Sequence, residues 1–247
     1  MSDAWQGKTY WLVGASEGLG RCLAQQLAAA GAKLCVSARS EGRLQELADS
    51  LTTDTIIAPC DVRDTGSVRT AFERLPPLDG VIYNAGVYEP VSAQSWDVDA
   101  VEAMCDVNFT GAARVLGEAV PSLVARGGGH IALVGSLAAW RGLPGAIGYA
   151  SSKAGLVSLA ECLRIDLSAP AFKVQVVNPG FIKTRLTEKN DFEMPDIMTP
   201  EAAANRVRRA MESEKFRTDF PGSLAWKFRL LHYLPDSLYF KIMKSRN

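Results

Sequence analysis

The sequence predicts an α/β protein: a Rossmann-like, doubly wound parallel sheet flanked by helices, one domain with a helical C-terminal extension. Three observations carry that reading. Short apolar runs alternate with helical stretches from the N-terminus onward, as successive βαβ crossovers require. The runs are almost continuously apolar, which suits strands covered on both faces. The first run ends in a glycine-rich turn that opens directly into a helix.

The elements follow in order. Residues 8–13 form the first strand and the alanine-rich stretch 21–30 the first helix. A second strand, 33–38, precedes a helix over 41–51. Residues 55–58 and 80–83 make the third and fourth strands, separated by a helical stretch at 67–75. Long helical patterns at 98–125 and 151–167 flank a fifth strand, 130–134. Residues 173–177 make a sixth strand and 200–214 a later helix. No Pro/Gly/Ser-rich linker interrupts the chain, and no repeat of solenoid period is present. Residues 1–247 therefore read as a single domain, with a variable substrate lid at about 185–200 and an apolar, basic segment at about 222–247.

Composition removes several function classes. With 27 Lys+Arg against 27 Asp+Glu, the chain lacks the basic field of a nucleic-acid binder. At 47% hydrophobic residues it is not disordered. A chain of this length buries roughly 70–75% of its unfolded surface and needs no disulfide or metal staple. The longest run without charge, residues 127–140, has 14 residues, where a membrane span needs about 20. Residues 1–5 lack the basic-then-apolar signature of a secretory signal. Cys22, Cys35, Cys60, Cys105 and Cys162 have no CxxC spacing, so they are expected reduced and buried in a cytoplasmic protein. His130 and His232 lie far apart without companions, so no metal site is expected. Ser136 lacks a G-x-S-x-G elbow, and Cys60 has the acidic neighbour Asp61, which disfavours a thiolate.

After the first strand comes Gly14-Ala15-Ser16-Glu17-Gly18-Leu19-Gly20. Glycines there allow a tight turn and close backbone approach to a pyrophosphate, which favours a helix N-terminus. A plain strand–helix turn can look the same, but this one heads a βαβ series. Tyr149 and Lys153, four residues apart, share one helix face. A tyrosine pKa near 10 suits neither acid nor base catalysis, and a nearby ammonium lowers it. Bringing it to about 7 takes roughly 3 units, or about 4 kcal/mol. The alternative is an ordinary surface pair.

Together Gly14/Gly18/Gly20, Asp61-Val62, Asn84-Ala85-Gly86, Asn108, Ser136, Tyr149-x-x-x-Lys153 and Pro179-Gly180 resemble, in order and spacing, the short-chain dehydrogenase/reductase family. The resemblance covers about residues 8–184. Two positions depart from the family: Val13 replaces its usual Thr, and Gly135 a frequent serine. The resemblance implies hydride transfer between NADP(H) and a small carbonyl or alcohol substrate, with Tyr149 as general acid/base. Lys153 would bind the nicotinamide ribose, Ser136 would donate to the carbonyl, and Asn108 would hold a water of the proton relay. Gly14, Ser16, Gly18, Leu19, Gly20, Asp61, Val62, Asn84, Ala85, Gly86, Pro179, Gly180, Ile182 and Thr184 would line the cofactor. Asp61 would reach the adenine, although it or Asp64 could instead cap a helix. Ala38 stands where NAD enzymes carry Asp, and Arg39 can pair with a 2′-phosphate, so NADP(H) is preferred over NAD(H). Glu17 argues the other way, because NADP-using relatives often carry Lys or Arg there. A non-catalytic NADP-binding sensor or scaffold is the alternative reading.

Specificity is expected from residues 140–147, from the lid, where Met194 and Met198 would fill a pocket, and from the C-terminal segment. Residues 206–247 carry ten Lys/Arg and four acids, which leaves 17 basic and 23 acidic residues elsewhere. Pro235-Asp236 should split that apolar tail into two helices. Three roles compete for it: a flap over the substrate, an interface of a homodimer or homotetramer, or a basic anchor making peripheral membrane contact.

Overall fold

The computed structural model describes residues 4–244; the readings that involve Met1, Ser2, Asp3 and Arg246 lie outside them. Its strands are β1 (Thr9–Val13), β2 (Lys33–Ser37), β3 (Thr55–Ile57), β4 (Gly80–Tyr83), β5 (Gly129–Val134), β6 (Phe172–Pro179) and β7 (Arg217–Phe220). They form one sheet in the order β3-β2-β1-β4-β5-β6-β7, with every pair parallel. Val13 is level with Ser37 on one side and Tyr83 on the other, so these strands end at one edge. The strand order reverses between β1 and β4, and ligands of such sheets bind outside that carboxyl edge.

Nine helices follow among the described residues: α1 (Gly18–Ala29), α2 (Glu41–Asp49), α3 (Thr65–Phe72), α4 (Val98–Cys105), α5 (Gly111–Ala125), α6 (Ile147–Asp166), α7 (Pro200–Glu212), α8 (Gly222–Tyr233) and α9 (Asp236–Lys244). Alternation along the strands sorts the core into two layers. Leu12, Val36, Ile82 and Val177 face Leu23 and Leu27 of α1 and Val207 of α7. Trp11, Val13, Val81 and Ile131 face Val115 of α5 and Leu156 of α6. Each such side chain contributes about 1.5–3 kcal/mol on full burial. Ser40, Asp64, Asp97 and Thr199 cap α2, α3, α4 and α7 through side-chain oxygens.

The structure amends the sequence reading in three places. β7 was not anticipated, because Arg217-Thr218-Asp219 offers no apolar run; the Asp219 carboxylate is held by Asn178 and Arg229 instead. The expected helix 98–125 contains a π-helical turn, Asp106–Thr110. Of the five cysteines only Cys35 and Cys60 are buried, and Cys162 is exposed. No helix among the described residues is long and apolar enough to cross a membrane.

At the opposite edge of the sheet, a polar column crosses the core. His130 Nε2 lies 2.9 Å from Gln175 Oε1, and its Nδ1 lies 3.0 Å from the Tyr10 hydroxyl. Gln175 Nε2 donates to the carbonyls of Ala210, Ser213 and Lys215. Its Oε1 must therefore accept from His130, and His130 Nδ1 from Tyr10. Burial, assisted by Lys173, lowers the His130 pKa from 6.5 to about 4. Between those values the unfolded chain takes up a proton that the folded one refuses, so stability falls as pH drops. The expected loss from this group approaches 3 kcal/mol, roughly, by pH 4. Urea denaturation from pH 7 to 4.5 on wild type and His130→Gln checks it: the variant should lose less stability across that range, and equal losses would refute the assignment.

Candidate active site

Six loops, after β1 to β6, leave the carboxyl edge of the sheet and carry residues singled out in the sequence. After β1, Gly14 has φ +89° and donates its N–H to the Ser37 carbonyl at 2.7 Å. Asn84 Nδ2, after β4, donates to the Gly14 carbonyl at 2.7 Å. A Cβ on Gly14 would stand 2.5 Å from the Ala85 nitrogen, and one on Gly20 1.9 Å from the Gly14 oxygen. These contacts leave no room for side chains on the inner wall of the turn. Gly18, at φ +52°, sits under Thr184, whose methyl is 3.1 Å from the position a Cβ would take. Leu19 is buried in the core beneath, and Ser16 is half-buried on the turn. The residue before α1, Glu17, makes no side-chain cap bond, so the first amides of α1 are not claimed by a capping side chain.

Glu17 turns outward and holds two guanidinium groups, Arg43 at 2.9 Å and Arg185 at 2.7 Å. Both arginines escaped the sequence analysis, since the three residues are far apart in the chain. Ala38 is half-buried and Arg39 exposed at the end of β2. Asp61 pairs with Arg63 at 2.7 Å, and that contact, with a smaller effect of Arg39, keeps its carboxyl below the usual range. The capping role goes to Asp64. Val62 is buried against Gly111.

The four expected catalytic residues lie in one region. Ser136 follows β5, is buried, and its hydroxyl also accepts the Ala138 N–H at 3.1 Å. Tyr149 and Lys153 project from the first turns of α6. Burial raises the Tyr149 pKa, and a hydrogen bond with Ser136 acts against it. Lys153 Nζ donates to the Val134 carbonyl at 3.0 Å and lies 6.0 Å from the centre of the Tyr149 ring. Burial lowers its pKa to about 8, so it remains mostly an ammonium at neutral pH. Asn108, within the π-helical turn, accepts from the Val87 N–H at 2.8 Å and donates to the Val87 carbonyl and Ser152 Oγ, each at 3.0 Å. Gly86 lies between Asn108 Oδ1 and Lys153 Nζ. Tyr88, missed in the sequence, stands edge-on to Tyr149 at 5.1 Å. Gly135 also has a structural reason: a Cβ there would meet Asn178 Oδ1 at 2.1 Å.

Pro179 ends β6, and Gly180 donates to the Phe220 carbonyl at 2.7 Å. The segment 185–200, expected as a lid, is tied to neighbouring loops. Lys189 bonds the Tyr88 carbonyl and pairs with Glu89, and Ile182 bridges to Met198. Met198, partly buried, packs against the core, and its bridge to Ile182 fixes its backbone. The C-terminal helices close on the loop after Ser136. Leu224 and Ala225 pack on Leu137, and Trp140 and Phe228 join them. Arg141 donates to the carbonyls of Leu231, His232 and Leu234, pairs with Asp236 and stacks 3.9 Å from the Tyr239 ring.

A family model described as short chain dehydrogenase matches residues 8–194. The chain is 34% identical to an uncharacterized oxidoreductase of Myxococcus xanthus, over 94% of each chain. It is 30% identical to the ketoacyl reductase HetN of Nostoc, over 84% of this chain and 76% of the relative. Among solved structures, the closed form of a serine dehydrogenase complexed with NADP+ superposes with a TM-score of 0.78 at 25% identity, over 87% and 95% of the two chains. A short chain dehydrogenase of Burkholderia cenocepacia, at 23% identity, shares the fold over 98% and 99% with a TM-score of 0.85.

Proposed function

The chain belongs to the short chain dehydrogenase family and is an oxidoreductase of small molecules using a nicotinamide cofactor, and on that premise we propose that it interconverts a carbonyl and an alcohol with NADP(H). The observation that carries this reading is the chain of approaches from Ser136 to Tyr149, from Tyr149 to Lys153, and from Lys153 to Asn108 across Gly86. The cofactor fits on the evidence of the turn itself, where Cβ atoms on Gly14 and Gly20 would collide with backbone. Gly14, Ser16, Gly18, Leu19 and Gly20 would hold the pyrophosphate at the N-terminus of α1. Val62, Asn84, Ala85 and Gly86 would line the adenosine and nicotinamide sides, with Pro179, Gly180, Ile182 and Thr184 opposite. Asp61 would reach the adenine from its pair with Arg63.

When bound, the nicotinamide supplies or accepts the hydride. The protein does the rest. Tyr149, its pKa raised by burial, is a protonated phenol at neutral pH and so starts as the acid that carbonyl reduction needs. Ser136 donates a hydrogen bond where negative charge grows on the substrate oxygen. As Tyr149 gives up its proton, the Lys153 ammonium stabilises the phenolate left behind. Lys153 would also bind the nicotinamide ribose. Asn108 would place a water of the proton relay beside Lys153, consistent with their approach across Gly86. The reverse oxidation uses the same groups.

The preference for NADP(H) rests on an exposed Arg39, the uncharged Ala38, and a Glu17 neutralised by Arg43 and Arg185. Arg39→Ala should weaken NADPH binding by about 1.5–3 kcal/mol, roughly ten- to a hundredfold, and leave NADH binding nearly unchanged. Calorimetry with both cofactors decides it. Equal NADPH affinity in the two proteins would remove Arg39 from the site.

A further inference from the structure

Helix α8 is apolar on two opposite sides. Its inward residues Leu224, Ala225 and Phe228 pack on the loop after Ser136. Its outward residues Trp226, Leu230 and Tyr233 are 67%, 54% and 79% exposed, and their spacing of i, i+4 and i+7 sets them in one row. α9 repeats the division: Tyr239 and Met243 are buried, while Leu238 and Phe240 are exposed. On α8 the packing against the body is thus made without the outward residues, while Phe240 of α9 borders a groove against residues 138–154. Basic groups accompany the row. Lys227, Lys241 and Lys244 are exposed, and none of them makes an ion pair among the described residues. Asp236, the acid of this segment, is taken by Arg141, and Arg229 is taken by Asp219.

We propose that the outward face of α8 and α9 docks on an anionic lipid bilayer. Trp226, Leu230 and Tyr233 would enter the boundary between headgroups and acyl chains, and the three lysines would meet lipid phosphates. Charge complementarity selects this occupant. Helices α8 and α9 carry Lys227, Arg229, Lys241 and Lys244 against the single acid Asp236, whereas the chain as a whole has equal numbers of Lys+Arg and Asp+Glu, so these two helices present the excess positive charge that an anionic surface attracts. Trp and Tyr, with apolar rings and a polar tip, suit an interface. At 12 and 9 residues the helices lie on a bilayer rather than across it. A two-fold pairing with a second copy would bring this basic face against an identical one, like charge to like.

The test is flotation of the full chain with phosphatidylcholine vesicles, with and without 30 mol%, roughly, of phosphatidylserine. Wild type should float with the anionic vesicles, stay behind with the neutral ones, and be released by 0.5 M salt, approximately. Lys227→Gln, Lys241→Gln and Lys244→Gln combined should lower the partition coefficient by about a hundredfold. Trp226→Ser with Tyr233→Ser should also abolish flotation, with NADPH binding unchanged as the control for folding. Failure of wild type to float, or equal flotation of the lysine variant, overturns the proposal. So does light scattering that shows an oligomer dissociated by Trp226→Ser and Tyr233→Ser without any vesicle binding, which would assign the face to a second copy.

Discussion

Tyr149→Phe should lower turnover about a thousandfold while the dissociation constant for NADPH stays within about twofold, because the change removes only a general acid. The ring keeps its place: its edge-on contact with Tyr88 at 5.1 Å and its position over Lys153 do not need the hydroxyl. What disappears is the O–H that Ser136 orients. Lys153→Ala should behave differently and weaken both turnover and NADPH binding, since Lys153 is assigned to the ribose as well as to Tyr149. Steady-state kinetics on a responsive carbonyl, with NADPH titration by fluorescence, separates the two patterns. A Tyr149→Phe protein with wild-type turnover would show that another group supplies the proton. A wild type that binds NADPH but reduces no member of a broad panel would favour a sensor or scaffold.

The second large effect is expected at Gly20. Adding one methyl there places a carbon 1.9 Å from the Gly14 carbonyl oxygen and 2.6 Å from Asn84 Nδ2. Neither neighbour is the free end of a flexible side chain. Gly14 is held by its N–H to Ser37 and by Asn84, and the Asn84 backbone N–H donates to the Val13 carbonyl of β1 at 2.9 Å. Gly20→Ala must therefore push the turn away from α1, breaking the Asn84–Gly14 bond. Overpacking of this kind costs about 1–3 kcal/mol in stability. NADPH binding should fall by more than tenfold, roughly, because the pyrophosphate would rest on that turn. Gly117→Ala, within α5 and with open space around its Cβ, is the matched control and should leave binding unchanged. If Gly20→Ala bound NADPH like wild type, the cradle would lie elsewhere.

Much of this architecture was legible in the sequence, because it depends on local period and spacing. Apolar runs of strand length alternating with helical stretches determined six of the seven strands and their parallel arrangement. Tyr149 and Lys153 had to share a helix face at four residues' separation, and the glycines of the first turn announced close backbone approach. The exceptions follow one rule. β7 was hidden because its polar residues are stabilised by partners, Asn178 and Arg229, that lie 41 and 10 residues away. The π-helical turn at Asn108 accompanies bonds to Val87 and Ser152, contacts that no helical period encodes. Glu17 argues against NADP in the sequence, but Arg43 and Arg185 lie beside it in the fold, and Gly135 departs from the family where Asn178 occupies the space of a side chain. Arg141 carries no signal in the sequence, yet it ties the loop after Ser136 to the end of α8, more than 90 residues on. The sequence by itself determined what neighbouring residues decide together: elements, their order and the spacing of Tyr149 and Lys153, the pair proposed as catalytic. Only the tertiary structure decided which distant charges and amides meet, because those pairings depend on how the packed core orients each loop.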